Sequence, residues 1–242
     1  EKSIHTLYEQ SFTIDDRPLY KMVHEYPLDG APPVMTHVFR NAANDTIIAC
    51  KGGVESILRQ SVLTDEQKQQ MLEVTQQLSA QGYRVLAVAK SAKSYDKFPA
   101  TQAEFDYTFL GLIAFSDPPK KNTASIITSF YQAGIGVKMI TGDYAPTAIA
   151  IAKQIGIQNH QAVLTGDEIM LMDAVTIQEK VKATNVYARM FPEAKLKVIE
   201  AFKRNGEVVA MTGDGVNDGP ALKAAHIGIA MGQRGTEIAK QA

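Results

Sequence analysis

The stretch "VVAMTGDGVNDGPALKAA" (Val208–Ala225) reads as a buried strand, a glycine-rich turn and a short helix. Asp214 and Asp218 stand four residues apart with Asn217 between them. Gly213, Gly215 and Gly219 free the backbone for a tight turn, and Pro220 suits the first turn of the helix that follows. Two carboxylates gathered at a strand end repel each other unless a cation relieves them. A hard divalent cation is the expected partner, and Mg²⁺ takes one or two carboxylates and completes its shell with water and phosphate. The plainer reading is a pair of helix caps in a glycine loop.

The triplet Thr-Gly-Asp that opens this turn occurs twice more, at Thr141–Asp143 and at Thr165–Asp167. In "GVKMITGD" it follows an apolar strand. There Gly142 lets the backbone approach an anion, and Thr141 can donate through its N–H and its hydroxyl. An ordinary strand-to-helix turn capped by Asp143 fits the same residues. In "AVLTGDEIM" the pair Asp167 and Glu168 opens the next helix, which complements the helix dipole and leaves little room for a phosphate. That copy is read as a cap.

Outward from these turns, strand and helix alternate from Phe109 to the end. The runs "FLGLIAF", "GVKMI", "QAVL", "NVYAR", "EVVAM" and "IGIAM" read as strands. Helices between them stop at Gly134, Gly156 and Gly206, with Pro192 opening one. Continuously apolar strands joined by short links predict a parallel sheet covered on both faces, with ligands at the carboxyl ends of its strands. Lys195 falls in the first turn of the helix after "NVYAR", where a lysine is ordinarily a solvated surface residue.

Residues 1–105 have a different character. Val34–Arg40 and Thr46–Cys50 flank "NAAND" and predict an antiparallel hairpin with a five-residue loop. Thr64 with Gln67 three residues on forms a capping box for a helix that carries Met71, Val74 and Leu78 and stops at Gly82. Tyr83–Ala89 reads as a strand opened by Arg84. "CKGG" (Cys50–Gly53) is either a strand-ending turn or a backbone that admits a phosphate or an adenine. The expected division is 1–105 and 106–242.

The balance of 25 basic and 26 acidic residues gives no reason to expect nucleic acid as a partner. A single cysteine, Cys50, forms no intrachain disulfide and suits a reducing compartment. No run of about 18 apolar residues is present, so a soluble segment is expected.

Together these motifs resemble part of the cytoplasmic head of a P-type cation-transporting ATPase, of the class that includes the calcium pumps. "KGGVESIL" resembles that family's Lys-Gly-Ala motif, and "GYRVLAVA" its arginine-bearing strand. "SDPPK" resembles its Asp-Pro-Pro-Arg hinge, "MITGD" its phosphate loop, and "YARMFPEAKLKVI" the segment carrying the phosphorylation-site lysine. "MTGDGVNDGPALKAAHIGIAMG" is similar to its magnesium loop throughout, and shares its acidic core with the wider haloacid-dehalogenase superfamily. The resemblance implies an α/β fold in two parts. One is a haloacid-dehalogenase-like parallel sheet with helices on both faces, and the other an α+β nucleotide-binding domain with an antiparallel sheet.

The same resemblance implies the site. Asp214 would be a Mg²⁺ ligand, with Asn217 and Asp218 completing the shell. Thr141 and Gly142 would hold the transferred phosphoryl group and Lys195 would neutralise it. Asp143 and Arg189 would lie near the nucleotide. Lys51, Gly52, Gly53 and Arg84 would bind ATP on the other domain, with Glu1 near the adenine and Asp117 at a hinge. The transported cation, the transmembrane helices and the actuator domain would belong to the rest of a membrane protein, with this portion on its cytoplasmic side.

Three departures qualify it. The Asp-Lys-Thr-Gly-Thr motif that supplies the family's nucleophile is absent, which implies a parallel sheet without its central strand. Leu28, Pro32 and Pro33 replace the usual aromatic and basic residues, so ATP affinity is expected to be weak. Lys120 replaces the hinge arginine. Two other readings are a soluble haloacid-dehalogenase-type phosphatase and a non-catalytic nucleotide-binding module. The first requires an Asp-x-Asp motif, and the sequence contains none.

Overall fold

A computed structural model describes residues 2–30, 33–91, 93, 95, 97–213 and 216–231. Two compact units emerge: 1–75 with 85–115, and 76–84 with 116–242.

In the first unit the elements run α1 (Lys2–Ser11), β1 (Lys21–Asp29), β2 (Val34–Arg40), β3 (Thr46–Gly52), α2 (Val54–Gln60), α3 (Asp65–Ala80), β4 (Arg84–Ser91) and β5 (Thr108–Phe115). The last turn of α3 and the residues up to Arg84 group with the second unit. The five strands form one sheet in the order β1-β2-β3-β4-β5.

The predicted hairpin is present, with Arg40 opposite Thr46 and Val34 opposite Gly52. Its loop closes because the Asn41 carboxamide accepts from the backbone of Ala43 at 3.0 Å and Asp45 at 2.8 Å. Asn44 takes the left-handed conformation, φ 68°, that asparagine tolerates. Alternation then buries Val34, Thr36 and Val38 from β2 against Ile48 and Cys50 from β3. The capping box of α3 also forms: Gln67 N–H donates to Thr64 Oγ1 at 3.2 Å, and Thr64 N–H to Gln67 Oε1 at 3.0 Å.

Two readings of this half change. β1 had no strand signal: it is largely exposed, carries Pro27, and pairs irregularly with β2. Those are properties of an edge strand, which tolerates a missing donor and needs no apolar face. The run over 108–115, expected with the later parallel strands, lies instead beside β4 in this sheet. An apolar run identifies a strand but not the sheet it joins.

The second unit runs α4 (Thr123–Gln132), β6 (Met139–Ile140), α5 (Ala145–Gln154), β7 (Val163–Thr165), α6 (Gly166–Leu171), α7 (Ala174–Ala183), β8 (Val186–Ala188), α8 (Pro192–Arg204), β9 (Ala210–Gly213), α9 (Gly219–Ala224) and β10 (Ile227–Ala230). Among the described residues its strand pairings are parallel, as the alternation predicts. They form two sheets, β6-β8-β7 and β10-β9, and among the described residues β6 and β9 each have a strand on one side only.

Coverage is also less even than expected. Gly228 packs against α9, where an added Cβ would meet the Leu222 carbonyl at 2.8 Å. The opposite face of β10 is open, with Ile227 and Ile229 about half exposed. The core sits instead around β8, where Val186, Tyr187 and Ala188 are fully buried between α5 on one side and α6, α7 and α8 on the other.

Candidate active site

The site builds from the carboxyl ends of β6, β8 and β9. After β6 the chain turns through Thr141–Asp143. The Thr141 hydroxyl donates to Asp143 Oδ2 at 2.9 Å and accepts from the Asp143 N–H at 3.1 Å. Asp143 therefore does not cap the next helix: Tyr144 occupies the N-cap of α5 and makes no side-chain cap bond. This excludes the capping alternative for that triplet and leaves a compact turn whose Gly142 is exposed.

The turn is stitched to the end of β8. Thr141 N–H donates to the Tyr187 carbonyl at 2.9 Å, Arg189 N–H to the Asp143 carbonyl at 2.9 Å, and Met190 N–H to the Thr141 carbonyl at 3.0 Å. Arg189 adopts φ 51°, a left-handed conformation that costs a non-glycine residue about 1–3 kcal/mol. Gly166 permits it: a Cβ there would lie 2.6 Å from the Arg189 carbonyl. The Arg189 guanidinium sits 5.1 Å from the centre of the Tyr144 ring.

Lys195 is in the first turn of α8 and reaches the turn after β9. Its Nζ donates to Asp218 Oδ1 at 2.7 Å, with the two side chains only 14% and 13% exposed. Asp218 stands at the N-cap position of α9 without capping it. The carboxylate lies against Gly213, where an added Cβ would be 2.7 Å from Asp218 Cβ and 2.8 Å from its Oδ2. So the glycine of this third triplet serves close approach, and the plain reading of Asp218 as a cap fails. Asn217 is exposed in the single 3₁₀ turn Val216–Asp218. Asp214 and Glu1 lie outside the described residues.

The second triplet is the cap it was read to be. Thr165 Oγ1 accepts from Glu168 N–H at 3.4 Å, and Glu168 Oε2 accepts from both the N–H and the hydroxyl of Thr165 at 2.7 Å.

The residues of "CKGG" lie in the first unit. Gly52 is buried, and a Cβ on it would lie 2.5 Å from the Pro33 carbonyl and 2.6 Å from Val34 Cα. Gly53 donates its N–H to the same Pro33 carbonyl at 3.0 Å. Close passage of the 33–34 backbone thus accounts for Gly52. Lys51 lies on β3 opposite Val88. Arg84, expected beside these residues, groups with the second unit, and its Nε is 3.7 Å from Asp143 Oδ1 with the side chain largely exposed. Leu28 is 62% exposed. Asp117 and Lys120 are exposed in the irregular segment 116–120.

Among the described residues no three His, Cys, Asp or Glu side chains cluster as a metal site. Asp218 offers a carboxylate already neutralised through one oxygen by Lys195. That is compatible with Mg²⁺, which needs only one or two carboxylates beside phosphate and water. No helix of the described residues is long and apolar enough to cross a membrane.

Calcium-transporting ATPase 1 of Saccharomyces cerevisiae is 38% identical over 94% of this chain and 26% of its own length. The probable cation-transporting ATPase F of Mycobacterium tuberculosis is 41% identical over 89% of this chain and 25% of its own length. The calcium-transporting ATPase of Bacillus subtilis is 36% identical over 92% and 26%. The chain thus spans about a quarter of the length of these relatives. A family model described as haloacid dehalogenase-like hydrolase matches residues 15–226. With that match covering most of its length, the chain belongs to the haloacid dehalogenase-like hydrolases.

Proposed function

We propose that this chain is the ATP-binding and phosphorylation portion of an ATP-driven cation pump of the P-type. The observation that carries the reading is the Lys195–Asp218 pair, a nearly buried ammonium and carboxylate 2.7 Å apart at the strand ends of a parallel α/β unit. Phosphoryl transfer needs positioning and charge neutralisation above all. Lys195 would neutralise the transferred phosphoryl group, and Asp218 would hold Lys195 in place. Thr141 and Gly142 would hold the phosphoryl oxygens through the exposed turn after β6.

Mg²⁺ would be held by Asp214 and Asp218, with Asn217 in the surrounding hydrogen-bond network. Bound there, it would offset charge that develops on the transferred group. In the first unit Lys51, Gly53 and Glu1 would contribute to nucleotide binding, and in the second Arg84, Asp143 and Arg189 would meet phosphate groups. The nucleophilic aspartate would come from a further part of the protein. Two observations support that: the chain covers a quarter of its relatives, and β6 and β9 each keep one edge without a strand among the described residues. The transported cation, the membrane helices and the actuator domain would belong to the remainder, with this portion on the cytoplasmic side.

The experiment is phosphoenzyme formation from radiolabelled ATP by the full-length protein. Lys195→Met, Thr141→Ala and Asp218→Asn are expected to reduce its rate by about 10²-fold or more, as loss of one transition-state donor does elsewhere. Unchanged rates in all three variants would overturn the reading.

A further inference from the structure

The Tyr144 carbonyl accepts the Ala148 N–H at 3.0 Å, but its side chain caps nothing in the helix it opens. The N-cap of α5 favours Ser, Thr, Asp or Asn, whose side chains satisfy a free N–H of the first turn. Tyr144 stands there with an extended backbone and no side-chain cap bond. A local preference broken without local return points to a role elsewhere. Its ring instead lies beneath Arg189, with the guanidinium carbon 5.1 Å from the ring centre, within cation–π range.

The backbone fixes both partners. Arg189 N–H donates to the carbonyl of Asp143, the residue before Tyr144, at 2.9 Å. The φ of 51° at Arg189 turns the chain at the carboxyl end of β8, and Gly166 makes room for its carbonyl. Backbone position is thus determined, but a long arginine side chain still has several rotamers. The ring narrows that freedom by giving the guanidinium a face to rest on.

We propose that Tyr144 is a positioning residue that holds the Arg189 guanidinium beside the Thr141–Asp143 turn, ready for the phosphates of a nucleotide. The proposal rests on the function proposed above. Phenylalanine keeps the face of the ring and leucine does not, so the two substitutions separate this role from simple packing.

The test measures KM for ATP and kcat of phosphoenzyme formation in the full-length protein carrying Tyr144→Phe, Tyr144→Leu, Arg189→Gln, and the last two together. Tyr144→Leu should raise KM about 3- to 10-fold, the change a partly exposed cation–π contact supports, with kcat altered less than about twofold. Tyr144→Phe should keep the wild-type KM. In the Arg189→Gln background, Tyr144→Leu should add no further change. A wild-type KM for Tyr144→Leu beside a raised KM for Arg189→Gln would overturn the proposal alone. So would an equal loss in Tyr144→Phe, or an undiminished leucine effect in the double variant. An unchanged KM for Arg189→Gln would remove the role of Arg189 and this proposal together, while the pump reading is decided separately by Lys195, Thr141 and Asp218.

Discussion

Lys195 Nζ lies 2.7 Å from Asp218 Oδ1, joining the first turn of α8 to the turn after β9 across 23 residues of sequence. Both side chains are nearly removed from water. A pair in that setting contributes little net stability by forming, yet costs much when one partner is lost, because the other charge stays buried and unpaired.

Lys195→Met and Asp218→Asn should therefore each destabilise the chain by roughly 2–4 kcal/mol, somewhat below the loss for a fully buried pair. The double variant Lys195→Met/Asp218→Asn should lose clearly less than the sum of the two, because it removes both members of the pair. Urea unfolding of all three would decide, and losses that simply add would mean that the two charges are not coupled.

Gly213→Ala should displace Asp218, since the new methyl would lie 2.7 Å from Asp218 Cβ. Overpacking of this kind costs about 1–3 kcal/mol. Gly136 has nothing within 4 Å of an added Cβ and no left-handed φ. Gly136→Ala is the control, and should be neutral or stabilising by about 0.4–1 kcal/mol through the unfolded chain. Similar thermal unfolding of the two variants would contradict the close-approach account.

Lys197 stands two residues beyond Lys195 and does different work. Its Nζ donates to the carbonyls of Ile169 at 2.9 Å, Met170 at 3.3 Å and Met172 at 2.6 Å, closing the carboxyl end of α6. Lys197→Met should cost about 1.5–3 kcal/mol, as expected for charge-assisted hydrogen bonds. Phosphoenzyme chemistry should suffer only in proportion to the folded fraction. A catalytic defect at full folding would assign Lys197 to the site instead.

Burial raises the Cys50 thiol above its ordinary value, and Tyr107 nearby is raised the same way. The folded state therefore keeps its proton where the unfolded chain has lost it. The sign follows: stability is intact below the unfolded thiol value of about 8.5 and falls as pH rises above it. Urea midpoints of the first unit should decline between about pH 8 and pH 9.5 in the wild type and decline less in Cys50→Ala. Identical pH slopes would exclude Cys50 as the cause.

Local devices were legible because they depend on neighbours in sequence. Gly134, Gly156 and Gly206 end helices at φ 75°, 81° and 81°, conformations open to glycine at little cost. The capping boxes at Thr64 and Thr165 close within three residues. The antiparallel hairpin and the parallel strands followed from alternating and continuous apolar patterns respectively. β1 escaped because an exposed edge strand has no apolar face to announce it, and the strand over 108–115 was placed in the wrong sheet because pattern does not encode pairing partner.

The three Thr-Gly-Asp triplets divide the same way. Glu168 settled the second as a cap from sequence, and the hydrogen bonds agree. The first and third differ already in sequence, because the third runs on into the acidic, glycine-rich turn that ends at Asp218, and the structure adds how each turn is built. Thr141 and Asp143 bond to each other, while Gly213 makes room for Asp218.

By itself the sequence determined the type of most elements, their punctuation and the position of the acidic turn. The resemblance points to Lys195, but only the tertiary structure shows that its ammonium pairs with Asp218. Residues advance about 100° each around a helix, so Lys195 and Lys197 point to nearly opposite sides of α8. Which side meets Asp218 and which meets the end of α6 depends on how α8 packs, and that is set by burial of Ala194, Val198 and Ala201 against elements distant in sequence.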